Sequence, residues 1–80
     1  MTAESRPRLA RRARLRRDPL GGGTLLLYPE HGLVLNDSAA AILERCDGRR
    51  VAEIAAGLVA PLADVLELLT TLAERGLVTA

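Results

Sequence analysis

From Leu9 to Leu15 the chain alternates, with Leu9, Arg11, Ala13 and Leu15 on one side and Arg12, Arg14 and Arg16 on the other. A period of two predicts a strand, here one with an arginine-bearing outer face. Asp18, Pro19 and the triplet Gly21, Gly22, Gly23 break it with a flexible loop. Thr24 to Tyr28 predicts a second strand, and Pro29, Glu30, His31, Gly32 has the composition of a tight reversal. Leu33, Val34 and Leu35 form a third strand that is apolar on both faces, so something must cover each side of it.

After Leu35 the period becomes 3.6. Asn36, Asp37 and Ser38 can each cap a helix, and Ala39, Ile42, Leu43 and Cys46 fall at i, i+3, i+4, i+7 before Asp47 and Gly48 end it. Val51, Ile54, Ala55 and Leu58 repeat the spacing in a short second helix whose leading residues, Arg49 and Arg50, are poor caps. Pro61 opens a third helix that runs to Arg75, with Gly76 placed for a left-handed cap and Leu77 able to fold back onto Leu72. The pattern predicts an α+β domain in which a three-stranded N-terminal antiparallel sheet is followed by three helices.

The third helix has more apolar surface than one core contact requires. At 100° per residue, Leu62, Leu66, Leu69 and Ala73 make one stripe, and Val65, Leu68 and Leu72 make a second to one side of it. Assigning the first stripe to the core leaves the second at the border of a polar face. A groove between that border and the uncovered side of Leu33 to Leu35 would use both excesses. The competing reading is ordinary core or a homodimer face.

Composition narrows the chemistry. The 80 residues include 16 Leu and 13 Ala but one Tyr and no Phe or Trp, so a single small core without aromatic anchors is expected, and a deep active-site cavity is not. The net charge of +1 conceals a split. Residues 1 to 17 carry seven Arg against one Glu, leaving +6, and residues 18 to 80 carry four Arg against nine acids, leaving −5. The lone Cys46 can form neither an internal disulfide nor a four-ligand zinc site, and its place on an apolar helix face predicts a buried, inert thiol. No secretory signal or membrane span is legible, so a cytoplasmic protein is expected.

The order of these elements, with Pro7, Arg8, Leu9 and Arg14, Leu15, Arg16 at the front, resembles the PqqD family, the small peptide-binding proteins of pyrroloquinoline quinone biosynthesis. The resemblance continues through Leu26, Leu27, Tyr28, Pro29 and Glu30, through Leu35, Asn36, Ala39 and Ala40, and through Cys46, Asp47 and Gly48. It then runs over Val51, Ala52, Glu53 and Ile54 and ends on Asp64, Val65, Leu66, Leu72, Gly76, Leu77 and Val78. Two departures stand out. Family members usually carry Thr or Ser where Arg50 stands, and the segment between Ala56 and Asp64 is shorter than usual.

The resemblance implies a winged-helix-like, non-catalytic domain over residues 7–80, preceded by a disordered tail at 1–6. It implies that the leader of a ribosomally made precursor peptide adds as a strand beside the third strand and packs on the third helix. The implied peptide contacts are Leu33, Val34 and Leu35, with Val65, Leu68, Leu69 and Leu72. A radical S-adenosylmethionine enzyme is the implied recipient of the peptide, and Arg12, Arg14 and Arg16 are candidates for contacting that partner. No cofactor or metal is expected. An open edge at the third strand also allows a homodimer.

Two other functional classes would leave different marks on the sequence. A winged-helix DNA-binding regulator would expose basic and amide side chains on its third helix, whereas this one presents Asp64, Glu67 and Glu74 to phosphate. An enzyme would need a nucleophile with a base, paired carboxylates or a metal set, and the sequence offers none. His31 has no second ligand near it in sequence and reads as a turn residue.

Overall fold

Two sheets and three helices make up the computed structural model, which describes residues 1–18, 20–28 and 31–80. In chain order they are β1 (Arg8–Leu9), β2 (Arg14–Arg17), β3 (Thr24–Tyr28), β4 (His31–Leu35), α1 (Asp37–Glu44), α2 (Val51–Leu58), α3 (Leu62–Glu74) and β5 (Val78–Thr79). Strands β2, β3 and β4 form an antiparallel sheet in that order, and β1 pairs antiparallel with β5 in a separate ribbon. The α+β class, the three-stranded antiparallel sheet and the three following helices agree with the sequence.

The first predicted strand is corrected. Exposure alternates only from Arg12 to Arg16, since Arg11 on the predicted inner side is exposed, and the backbone does not run as one ladder. The Ala10 N–H donates to the Leu77 carbonyl at 2.9 Å and the Ala13 N–H to the Ala10 carbonyl at 2.9 Å, so the chain turns between β1 and β2. Ala13 is buried at that turn and Arg12 sits in it, off the strand. Pairing across to the chain's far end cannot be read from a local period.

Between β2 and β3 the Asp18 N–H donates to the Gly23 carbonyl at 2.7 Å and the Gly22 N–H to the Asp18 carbonyl at 3.2 Å. Gly22 adopts φ +71°, which explains one glycine of the triplet. The β3–β4 register pairs Tyr28 with His31 and Leu26 with Leu33. His31 and Gly32 therefore belong to β4, not to the turn. Pro19, Pro29 and Glu30, read as loop and turn residues, lie outside the described residues, as does the His31 side chain.

Leu26, Leu43, Val51, Ile54, Val65, Leu69 and Val78 are all but inaccessible and form the centre of an aliphatic core. The local starts and stops follow their side chains. Asn36 Oδ1 accepts the Ala39 N–H at 2.7 Å and opens α1. At the other end of α3, Gly76 takes φ +74° and the Leu77 N–H returns to the Leu72 carbonyl at 2.9 Å.

Helix α2 finds its cap outside its own sequence. The Val51 and Ala52 N–H groups donate to the carbonyls of Ser5 and Ala3 at 2.9 and 3.0 Å. Glu53 accepts from the Arg50 N–H at 3.1 Å and from its guanidinium at 3.0 Å, and Arg50 also reaches Glu4 at 3.1 Å. These bonds replace the missing Thr or Ser. They hold the Glu53 carboxyl below the usual range, the Arg50 N–H being the larger cause and its guanidinium the next. A depressed carboxylate stabilises the fold above its ordinary titration range and loses that contribution on acidification.

Ala3 and Ser5, within the tail expected at 1–6, are thus joined to α2 by backbone. Deleting residues 1–6 should expose two helix N–H groups and lower stability by about 1–2 kcal/mol, as for loss of an N-cap. Thermal unfolding followed by circular dichroism checks this; an unchanged midpoint returns the segment to a dangling tail.

The short α2–α3 connection is made by Val59 at φ 52° and ψ 43°, followed by Ala60, whose N–H donates to the Ala55 carbonyl at 2.9 Å. A β-branched residue in the left-handed region is strained, and Val59 gains little in return since its side chain is 93% exposed.

Candidate functional site

Strand β4 lies at one edge of the three-stranded sheet, with no further strand beside it among the described residues. Its side chains divide by parity. Leu33 pairs with Leu26 and Leu35 with Thr24, so these four share the sheet face turned toward the core. Leu35 is buried there, and Leu33 is left 37% exposed. Val34 pairs with Leu25 on the opposite face and is 76% exposed. The two-sided apolar character read from Leu33 to Leu35 is therefore real, with a different environment on each side.

Beside Leu33 is a cavity of about 320 Å³ lined by Leu26, Tyr28, Gly32, Leu33, Arg75 and Leu77. Its floor and one wall come from the inner face of β3 and β4. The other wall is the turn that ends α3, held by the Leu77-to-Leu72 bond described above. The result is an apolar recess with an unpaired strand edge along it. An edge offers main-chain donors and acceptors, and an adjacent recess offers a place for a side chain, which together suit an extended chain segment.

The helix stripes assigned from sequence are corrected. Val65, Leu69 and Leu72 are buried at 0%, 0% and 3% exposure, whereas Leu66 and Leu68 are half-buried and Leu62 is exposed. The core stripe of α3 is thus Val65, Leu69, Leu72, drawn from both predicted stripes. The sequence pattern located two apolar borders correctly but could not tell which way the helix is rolled, because that depends on what packs against it. Among the residues proposed for a ligand, Leu33, Val34 and Leu68 are accessible, and Leu35, Val65, Leu69 and Leu72 are sealed inside. Tyr28, Arg75 and Leu77 line the recess and were not singled out from sequence. Arg75 follows Leu68 by seven residues, two helical turns, and that spacing was the available signal.

Arg14 and Arg16 pair with Leu27 and Leu25 and share the outer face of the sheet with Val34. All three are exposed. Arg12, in the preceding turn, is exposed as well but does not belong to that face. Asp64, Glu67 and Glu74 are exposed on α3, an arrangement that repels a phosphate backbone. Cys46 is buried, its thiol donates to the Ile42 carbonyl at 3.4 Å, and burial, followed by the nearby Asp47 charge, pushes its pKa up to about 11. A thiol so rarely ionised is a poor nucleophile. Among the described residues no group of three His, Cys, Asp or Glu side chains could hold a metal ion, and no helix is long and apolar enough to cross a membrane.

A family model described as coenzyme PQQ synthesis protein D (PqqD) matches residues 23–78. A PqqA binding protein of Rhizobium meliloti is 36% identical over 73 residues, covering 85% of this chain and 74% of its own. A PqqA binding protein of Azotobacter vinelandii is 43% identical over 77 residues, covering 86% and 84% respectively. Among solved structures, the chain superimposes with a TM-score of 0.80 and 31% identity on the solution NMR structure of the PqqD truncation of Methylobacterium extorquens PqqCD, over 100% of this chain and 95% of that one. That protein is described as a functional, stand-alone recognition element for ribosomally synthesized and post-translationally modified peptides.

Proposed function

We propose, from the premise that this chain belongs to the PqqD family, that it captures a PqqA-like precursor peptide through its leader and presents it for modification. The observation that carries this reading is the unpaired edge of β4 running past the recess at the end of α3. An extended peptide on that edge satisfies the free N–H and C=O row and places alternate side chains toward the recess. Leu33, Val34 and Leu68 are its direct contacts, and Leu35, Val65, Leu69 and Leu72 act from beneath by fixing the edge and the helix. The names of the relatives support a binding partner rather than a catalyst.

Titration of isotope-labelled protein with a synthetic PqqA peptide tests the reading. The largest amide shifts are expected over β4 and the C-terminal half of α3. Shifts confined to α1 and α2, or no shifts at all, would reject the site.

The recipient of the peptide in this proposal is a radical S-adenosylmethionine enzyme, met by the arginines of the first 17 residues. Charges on the outer sheet face and its turn raise encounter rates with an acidic surface, and salt screens that gain. Reversing Arg12, Arg14 and Arg16 to Glu should slow association with the enzyme by about tenfold at low salt and flatten the salt dependence, with folding intact. Stopped-flow association measured at two ionic strengths decides it. An unchanged rate removes these arginines from the partner contact.

A further inference from the structure

Among the described residues the cation in the recess has no structural employment. Arg75 stands at the C-terminal end of α3, where arginine commonly binds the last helix carbonyls, but the Leu72 and Ala73 carbonyls are taken by backbone N–H groups. The Arg75 and Leu77 N–H groups both return to Leu72, and that of Gly76 returns to Ala73. Among the described residues the Arg75 guanidinium makes neither a hydrogen bond nor an ion pair, in contrast to Arg6, Arg45, Arg49 and Arg50. It is exposed, and it lines a cavity whose other walls are Leu26, Tyr28, Gly32, Leu33 and Leu77. An apolar recess with one free cation at its rim is matched by a ligand with an apolar side chain beside a carboxylate.

The rest of α3 gives this recess a direction. Asp64, Leu68, Thr71 and Arg75 follow one another at i, i+4, i+7 and i+11 and share one helix face. The helix therefore carries a negative charge at one end of that face and a positive one at the other, roughly 16 Å apart at 1.5 Å per residue. About five residues of extended chain span that distance. A carboxylate is attracted at the Arg75 end and repelled at the Asp64 end.

We infer that Arg75 is a specificity-determining residue which selects an acidic side chain in the leader, next to the apolar residue that fills the recess, and so fixes which way the peptide lies along α3. This inference rests on the peptide-binding reading above and deepens it. Guanidinium pairs with carboxylate in a planar, two-bonded geometry, so the contact discriminates an acid from its amide.

The test is a double-mutant cycle with a synthetic PqqA peptide and a set of its variants, each acidic residue in turn replaced by the matching amide. Arg75→Gln should weaken binding of the parent peptide about tenfold. One amide variant should bind the wild-type protein about tenfold more weakly and yet bind Arg75→Gln no more weakly than the parent does. Arg75→Glu should lose more affinity and recover part of it with a peptide carrying Lys at that one position. Since the side chain is exposed and makes no bond among the described residues, the fold should be retained in all variants, which an amide spectrum verifies. Binding by Arg75→Gln and Arg75→Glu within twofold of wild type overturns the inference and leaves peptide capture standing. Failure of the wild-type protein to bind any of the peptides overturns both.

Discussion

Val34→Pro is expected to abolish peptide capture, with affinity falling by at least a hundredfold, while most of the fold survives. The Val34 side chain is 76% exposed and gives the core little, so the effect comes through the backbone. Proline removes an N–H from the strand and fixes φ, and its ring occupies space that a docked chain needs. Edge strands are where a folded sheet tolerates such a change, and β4 is an edge. Val34→Thr is the companion variant: it keeps the extended backbone and the branched shape, and binding should stay within threefold of wild type. Both are measured by titration with the same PqqA peptide, after an amide spectrum confirms that β2, β3 and the helices are intact. A folded Val34→Pro protein that binds normally would falsify strand addition at this edge. Loss of binding in Val34→Thr as well would instead make the side chain the main determinant.

The second large effect separates two leucines that adjoin one another in α3. Leu69 is wholly buried and Leu68 is half-buried on the border toward Arg75. Truncating a buried leucine removes transfer energy and leaves a cavity, together about 2–5 kcal/mol. An 80-residue domain has a net stability on the order of 4–12 kcal/mol, so Leu69→Ala should unfold a measurable fraction at 25 °C or lower the denaturation midpoint steeply. Leu68→Ala should cost under about 1.5 kcal/mol, since part of its surface is already in water, and should weaken the peptide complex. Leu66→Ala is the control, because Leu66 is also half-buried but lies on the other border of the helix. Equal stability losses at Leu68 and Leu69 with unchanged affinity would make the Arg75-side border ordinary core.

These variants also mark where local pattern stops being informative. The helix limits were legible because their signals are local: Asn36 caps α1 with its own side chain, and Gly76 turns the chain where a left-handed residue is needed. The edge strand was legible too, since three consecutive apolar residues, Leu33, Val34 and Leu35, need cover on both sides. The roll of α3 was not. Its two apolar borders are nearly equivalent in sequence, and only packing chose Val65, Leu69 and Leu72 for the centre. The capping of α2 was hidden for a different reason. Arg50 looks like a missing cap until Ala3 and Ser5, nearly fifty residues earlier, are brought to it by the fold. Arg75 passed unnoticed because a basic residue at a helix C-terminus has a routine explanation, which Arg45 fulfils in α1 and which Arg75, bonding no helix carbonyl among the described residues, does not.

The ribbon of β1 and β5 joins residues near the two ends of the described chain, pairing Leu9 with Val78 and Arg8 with Thr79. The pairing is only two residues a side, but Val78 lies at the centre of the core, so opening the ribbon breaks the ladder and exposes a buried side chain together. Its neighbour is Leu77, whose carbonyl is held by the Ala10 N–H and whose side chain lines the recess. Opening the ribbon would thus unseat one wall of the groove. In population terms, only molecules with the ribbon closed are competent to bind, and the apparent dissociation constant rises in proportion as that fraction falls. Anything attached ahead of residue 8 that pulls on β1 becomes, through Leu77, a control on peptide affinity.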